Sequence, residues 1–373
     1  MPMNVGVSIG TRPEAIKLMP VIRALERAGI ETRVFVTGQH VELLEPILAE
    51  LDIHPAERLH VMEADQSLGE LSARLLGGVQ AILHRHRPDI LLVEGDTTSV
   101  AMSALAAFYE NIPVGHVEAG LRTDSRRDPF PEEMNRRLVG CLADLHFAPT
   151  ELSRQNLLRE SVPGSAIHVV GNTVVDALFH ARDELLPTLP PDPELEGLAA
   201  RGCPIVLVTA HRRESFGADL AEICRGVARL ATAHRDRLAV FFPVHLNPNV
   251  QSMVHSLLSS IPGVRLTPPL SYLGFLRLML HAKLIITDSG GVQEEAATLG
   301  IPVLVTRRTC ERLEAVEAGV SQVVGPDADA IVQAAENLLG DATAYRARAV
   351  PTDVFGDGRA AERIVTILRG RHA

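Results

Sequence analysis

Along the first half of the chain, short apolar runs alternate with longer stretches whose apolar residues recur every three or four positions. "NVGVSIG" reads as a strand and "RPEAIKLMPVIRALERAG" as an amphipathic helix. "ETRVFVTG" and "DILLVEGD" read as strands, the second leading into the alanine-rich helix "TSVAMSALAAFYENI". "VGHVEA" is another strand, "PEEMNRRLVGCLA" a helix, and "LHFAPT" and "IHVVG" close this half. Alternation of this kind predicts a parallel, doubly wound sheet. A proline-rich seam follows at about residues 183–204, "DELLPTLPPDPELEGLAARGCP", with no strand pattern. The alternation then restarts with "IVLVTA", a helix from about Asp219 to His234, "LAVFFPV", a helix, "VRLTPP", a helix, "KLIITDS", "VQEEAATLG", "PVLVT" and "SQVVG".

The pattern therefore predicts an α/β protein made of two tandem Rossmann-like domains. The first is expected over residues 1–170, with a last helix at 357–373 packing back on it, and the second over residues 171–356. Length agrees, because 373 residues exceed what one core usually holds.

Composition narrows the function classes. Trp is absent, aromatics are 3% and the net charge is −10, which argues against aromatic base stacking and against a general nucleic-acid binder. Arginines that cluster in so acidic a chain point to local work on a small anion. Cys141, Cys203, Cys224 and Cys310 show no CxxC spacing and read as reduced, mostly buried thiols of a cytoplasmic protein. "MNVGVSIG" is too short for a signal peptide, and no apolar run is long enough to span a bilayer, so no membrane association is expected.

In doubly wound sheets ligands bind beyond the carboxyl ends of the strands, and five strand exits carry candidate chemistry. "SIGTRPEAIK" places Arg12, Glu14 and Lys17 at a helix start that suits a phosphate, or is only a capped, solvated helix start with Pro13 in its first turn. "LLVEGDTTS" offers Asp96, which alone reads as a helix N-cap, and Glu94, which faces the same side if the strand persists. "GHVEAGLRTDSRRDPFPEEMNRR" collects His116, Glu118, Arg122, Glu132 and Glu133, any one of which could be a plain ion-pair partner. "VTAHRRESFG" puts His211, Arg212 and Arg213 where an anion would dock; no second metal ligand lies at a suitable spacing, and His245 is alone on its own strand end. "TDSGGVQEEA" is the most specific. Ser289, Gly290 and Gly291 would present donors to phosphate, and Glu295 an acceptor for ribose hydroxyls.

Taken in order, "GTRPEAIK", "GDTTS", "GHVEAGLRT", "PFPEE", "GNTVVDAL", "HRRESFG", "PVHLNPNV", "TDSGGVQEEA" and the late "FGDG" closely resemble the non-hydrolysing UDP-N-acetylglucosamine 2-epimerases of bacteria, over nearly the whole chain. The resemblance implies the domain arrangement of the GT-B glycosyltransferases, with an interdomain active site. It implies a homodimer that interconverts UDP-GlcNAc and UDP-ManNAc without NAD or metal, by elimination of UDP to 2-acetamidoglucal and re-addition. It implies catalytic Asp96, Glu118, Glu132 and His211. Arg12, Lys17, Arg136, Ser289, Gly290, Gly291 and Glu295 would bind the substrate, with His211 also on the pyrophosphate. A second, allosteric UDP-sugar would meet Gln39, position 65, Gln66, Glu133, Arg212 and His245.

The chain departs from the family pattern at three places. Glu94 stands where His or Gln is common before "GDT", Leu313 replaces a proline in "CERLEA", and Asp65 stands where some members carry Arg. Such a carboxylate would repel a second pyrophosphate. Two rival enzymes share the fold: a hydrolysing epimerase releasing ManNAc, and a GT-B glycosyltransferase, which would not need the three-carboxylate set.

Overall fold

Strands that are apolar on both faces need helices above and below, and parallel pairing supplies them. Every residue of the fourth strand, Ile90–Glu94, is buried, as is every residue of the eighth, Ile205–Thr209. The computed structural model describes residues 3–38, 41–63, 66–123, 125–210, 216–308, 310 and 312–372. It divides into two compact units, one running to His180 and taken up again from Gly356, the other from Ala181 to Phe355.

The first unit holds β1 Asn4–Ile9, β2 Glu31–Val36, β3 Glu57–Arg58, β4 Ile90–Glu94, β5 Val114–Val117, β6 Leu145–Ala148 and β7 Ile167–Val169. They form one parallel sheet in the order β3-β2-β1-β4-β5-β6-β7. Its helices are α1 Arg12–Arg27, α2 Val41–Glu50, α3 Leu68–His86, α4 Thr98–Tyr109, α5 Glu132–Leu142, α6 Glu151–Arg159 and α7 Thr173–His180. The second unit starts in the seam with irregular helical turns at 181–188 and α8 Pro193–Ala200. It continues with β8 Ile205–Thr209, α9 Ala218–His234, β9 Ala239–Pro243, α10 Pro248–Leu258, β10 Val264–Thr267, α11 Tyr272–His281 and β11 Ala282–Thr287. It ends with α12 Gly290–Leu299, β12 Val303–Val305, α13 Leu313–Glu317, β13 Ser321–Val323, α14 Ala328–Gly340 and α15 Ala342–Arg348. Its sheet is parallel in the order β10-β9-β8-β11-β12-β13. The tandem α/β class read from the sequence is what the chain adopts.

The last helix, α16 Ala360–His372, packs on α1 and α7 in the first unit. Its opening N–H groups would have no partner within the helix. Asp176 of α7 supplies one, accepting from Ala360 N at 3.2 Å and Ala361 N at 2.9 Å. Burial pushes this carboxyl up to about 6, against the pull of those donors. Just upstream, Gly356 (φ 124°) passes so close that a Cβ there would lie 3.0 Å from the Cα of Gly171. "FGDG" and "GNTVVDAL" are thus two halves of one packed joint, and α7 stays with the first unit by its contacts with α1 and α16.

The cysteines differ from expectation. Cys224 is buried, Cys203 and Cys310 are partly exposed and Cys141 is exposed, because Cys141 lies on the outer face of α5. Among the described residues no helix is long and apolar enough to cross a membrane.

Replacing Asp176 by Ala removes both cap bonds and should lower stability by about 1–2 kcal/mol in urea unfolding at neutral pH. Asn, whose amide oxygen still accepts, should recover part of the loss. A change below about 0.5 kcal/mol for the Ala variant would show that α16 needs no cap from α7.

Candidate active site

Each sheet reverses its winding once, and at that point the loops leaving two neighbouring strands open a crevice. In the first unit the neighbours are β1 and β4. The chain leaves β1 at Gly10-Thr11 and leaves β4 at Gly95-Asp96-Thr97, so two of the five marked exits lie side by side.

Glu14 ties these loops together. It is buried, 2% exposed, and accepts from Gly10 N at 2.6 Å, Thr11 Oγ1 at 2.9 Å and Thr97 Oγ1 at 2.9 Å. Desolvation raises its carboxyl to about 7, with the three donors opposing and the charge of Asp96 adding a little.

Gly95 (φ 82°) ends β4 at Glu94, so Glu94 and Asp96 do not share a strand face and engage different cations. Glu94 is 3.0 Å from Lys17 Nζ. Asp96 receives Arg136 Nε at 2.9 Å and Nη2 at 2.8 Å. Nor is Asp96 the helix cap. Thr97 fills that role, its Oγ1 accepting from Val100 N at 3.3 Å, which leaves Asp96 to Arg136.

Glu118 follows β5 with φ 62°, a left-handed pose that costs a non-glycine residue about 1–2 kcal/mol. Its buried carboxylate accepts from Lys17 Nζ and, at 2.9 Å, from Asn172 Nδ2. The start of α5 closes the same region. Asn135 Nδ2 donates to the Asp96 carbonyl at 2.9 Å, and half-buried Glu132 is the first residue of that helix. Glu133 is a brace: fully buried, it accepts from Thr123 N at 3.0 Å and Arg137 Nε at 2.9 Å and lies 3.3 Å from Arg136 Nη1. Arg122 is held by Glu160 at 2.6 and 2.8 Å. His116 is buried with Nε2 donating to the Gly95 carbonyl at 2.8 Å, and burial lowers it to about 3, so it is a neutral brace of the β4 turn. The crowd of charges in this segment therefore divides into groups that brace and groups that face the crevice.

In the second unit the reversal lies between β8 and β11. Their last residues join through Thr209 Oγ1 and Thr287 Oγ1 at 2.5 Å, and Thr287 Oγ1 also accepts from Ser289 N at 2.9 Å. Ser289 precedes α12 without its hydroxyl bonding the first-turn N–H groups, which leaves those donors for an anion. A Cβ at Gly291 would meet open space, so this backbone is approachable. Glu295 is buried in α12, and beside it Glu294 pairs with the buried Arg312 at 2.6 Å. Leu313 begins α13, a position where proline is also at home, and the Arg312 pair forms with leucine there. A cavity of about 470 Å³, lined by Arg201, Arg235 and Arg265 among others, lies at the amino ends of β8, β9 and β10, away from all of this chemistry.

Asp96, Glu118, Lys17 and Arg136 thus come together in the first unit, with Arg12 and Glu132 at the starts of the adjoining helices; Ser289, Gly290, Gly291 and Glu295 do so in the second. Gln66 contacts Arg74 and Met62, and His245 accepts from Asn247 N. Gln39, Asp65, His211 and Arg212 fall outside the described residues. Sequence reasoning named Glu14 only as part of a helix start, not as the tie between two loops, and missed Asn172 and Glu294. Asn172 was within reach, since it opens the quoted "GNTVVDAL", but nothing local reveals its partner.

A family model described as UDP-N-acetylglucosamine 2-epimerase matches residues 23–369. A UDP-N-acetylglucosamine 2-epimerase of Escherichia coli strain K12 is 48% identical over 375 aligned positions, covering 98% of each chain. The chain belongs to the UDP-N-acetylglucosamine 2-epimerase family. Among solved structures, the Neisseria meningitidis UDP-GlcNAc 2-epimerase bound to UDP-GlcNAc superposes with a TM-score of 0.94 at 41% identity, over 99% of this chain and 100% of that one. The Methanocaldococcus jannaschii family member in complex with UDP-GlcNAc and UDP gives 0.85 at 34% identity, over 99% and 100%.

Glu14 gives this site a signature in stability. Its folded value of about 7 lies above the ordinary 4.5, so the folded state binds the proton more tightly. The resulting stabilisation is complete below pH 4.5 and is lost as pH rises to about 7. Denaturant unfolding across that range should show wild type losing on the order of 3 kcal/mol that Glu14→Gln does not lose. Parallel curves would show that folding does not raise the Glu14 carboxyl.

Proposed function

We propose that the protein epimerises UDP-N-acetylglucosamine at C2, reversibly, giving UDP-N-acetylmannosamine. The C2–H is broken by a carboxylate while the C1–O bond breaks and UDP departs, leaving 2-acetamidoglucal. UDP then re-adds at C1 as a proton is delivered to the opposite face of C2. Atoms balance: one proton is taken, one is returned, and the same UDP leaves and comes back. C2–H is not acidic, so its removal must be coupled to loss of the leaving group, and the charge on that group must be met.

The observation that carries this reading is the pair of carboxylates beyond β4 and β5, each held by a cation from a neighbouring helix, Asp96 by Arg136 and Glu118 by Lys17. With Glu132 at the start of α5 they supply the proton transfers. Arg12 and His211 meet the diphosphate, as do Ser289, Gly290 and Gly291 through hydroxyl and backbone donors, and Glu295 takes the ribose hydroxyls. The families of the relatives and their bound ligands support the substrate. A transferase would leave two carboxylates beside the sugar without a task, and a hydrolysing enzyme would release the sugar.

Incubation with UDP-GlcNAc alone in D2O tests the scheme by NMR. Deuterium should appear at C2 of the recovered UDP-sugars, with UDP and the glycal accumulating slowly. Full retention of the C2 proton would sink the elimination route, and release of ManNAc would make the enzyme a hydrolase.

Asp96→Asn, Glu118→Gln and Glu132→Gln each keep size and remove the titrating group. Each should lower kcat by on the order of a hundredfold or more, with UDP affinity changed little. If all three turn over within a few-fold of wild type, the carboxylates are not the proton-transfer groups.

A further inference from the structure

Lys17 is one ammonium between two buried carboxylates. Its Nζ lies 3.0 Å from Glu94 and in contact with Glu118, and Lys17, Glu94 and Glu118 are 9, 2 and 8% exposed. Ionised together, two carboxylates out of water compete for the one ammonium between them, a strain that a proton on either would relieve. Among the described residues Lys17 alone lies within ion-pair distance of it. Glu14 and Glu118 add negative charge from α1 and from the exit of β5. His116 of β5 is a neutral donor to Gly95, and Asp96 has its own arginine. β1 and α4, which also pack on β4, carry no charged side chain.

The two carboxyls are not equivalent. Glu118 receives the Asn172 amide N–H as well as the ammonium, and both favour its charged form. Glu94 is the more deeply buried, with the shared ammonium as its ion partner. We propose that Glu94 is a proton-holding positioning residue: its carboxyl is protonated at neutral pH, so the charge of Lys17 belongs to Glu118 and holds that carboxylate in its left-handed pose. Burial acts in the same direction, raising Glu94 well above the ordinary carboxylate value against the attraction of Lys17. When Glu94 ionises at high pH, a second carboxylate competes for the ammonium and loosens Glu118. This inference deepens the epimerase reading, because the task of Glu118 rests on that reading, whereas the proton on Glu94 does not.

Two measurements separate these claims. Infrared spectra of protein labelled with 13C-glutamate at its side-chain carboxyl, at about pH 8, should show a protonated-carboxyl stretch. The band should persist in Glu14→Gln and vanish in Glu94→Gln. Spectra of wild type and Glu14→Gln with carboxylate bands alone would overturn the proposal, even if the Glu94 variant failed to fold. The second readout is the pH profile of kcat with UDP-GlcNAc. Glu94→Gln, a neutral stand-in for the protonated side chain, should move the alkaline limb up by on the order of one pH unit while KM changes less than about twofold. A limb that stays in place would overturn the positioning role. If wild type does not turn over UDP-GlcNAc at all, the functional reading fails, and the infrared band still decides where the proton is.

Discussion

The contact between Lys17 and Glu118 is the constraint on which the first unit's site depends. A buried carboxylate is tolerated only when paired and hydrogen-bonded. Lys17 comes from α1, Glu118 from the exit of β5, Glu94 from the last residue of β4 and Asn172 from the segment before α7. Three elements meet at one ammonium and the fourth at the carboxylate it holds, so removing Lys17 would take from Glu118 and Glu94 the cation they share. The left-handed backbone at Glu118 has the same dependence, since a non-glycine residue keeps that pose only where its side chain is held.

The support of the site reaches the end of the chain. Asn172 bonds Glu118 and Asp176 caps α16, four residues apart on one segment. The same segment receives Gly356 against Gly171. Residues far from the reacting groups in sequence thus fix the distance between β5 and α7, and a loosening of α16 should be felt at Glu118 through Asn172.

The elements were legible because their signals are local. Buried parallel strands are apolar runs, surface helices repeat every three or four residues, and the strand exits follow from those two facts. The partners were not legible, because charge alone does not say whom a side chain meets. Lys17 at a helix start reads as an anion binder, yet the groups it meets are Glu94 and Glu118, far along the chain. Asp96 before α4 reads as a cap, but Thr97 next to it can cap as well, and Arg136 on a later helix decides between them. Glu133, one residue after Glu132, turns inward to two arginines. Sequence adjacency gives two such glutamates one description, and only the phase of the helix separates the buried brace from its half-buried neighbour.

The two reversal points show how little the fold itself decides. Both are crevices beyond the carboxyl ends of parallel strands, with a helix N-terminus at hand. In the first unit the crevice is lined by Glu14, Glu94, Asp96 and Glu118, each restrained by donors or a cation, an environment suited to moving protons. In the second the equivalent positions hold Thr209, Thr287, Ser289 and two glycines, hydroxyls and open backbone N–H groups that can receive an anion. One architecture thus occurs twice, and the side chains at the strand exits are what distinguish the two crevices. The carboxylates of the second exit, Asp288 and Glu295, are buried, so that hydroxyls and backbone N–H groups are what this crevice offers beside them.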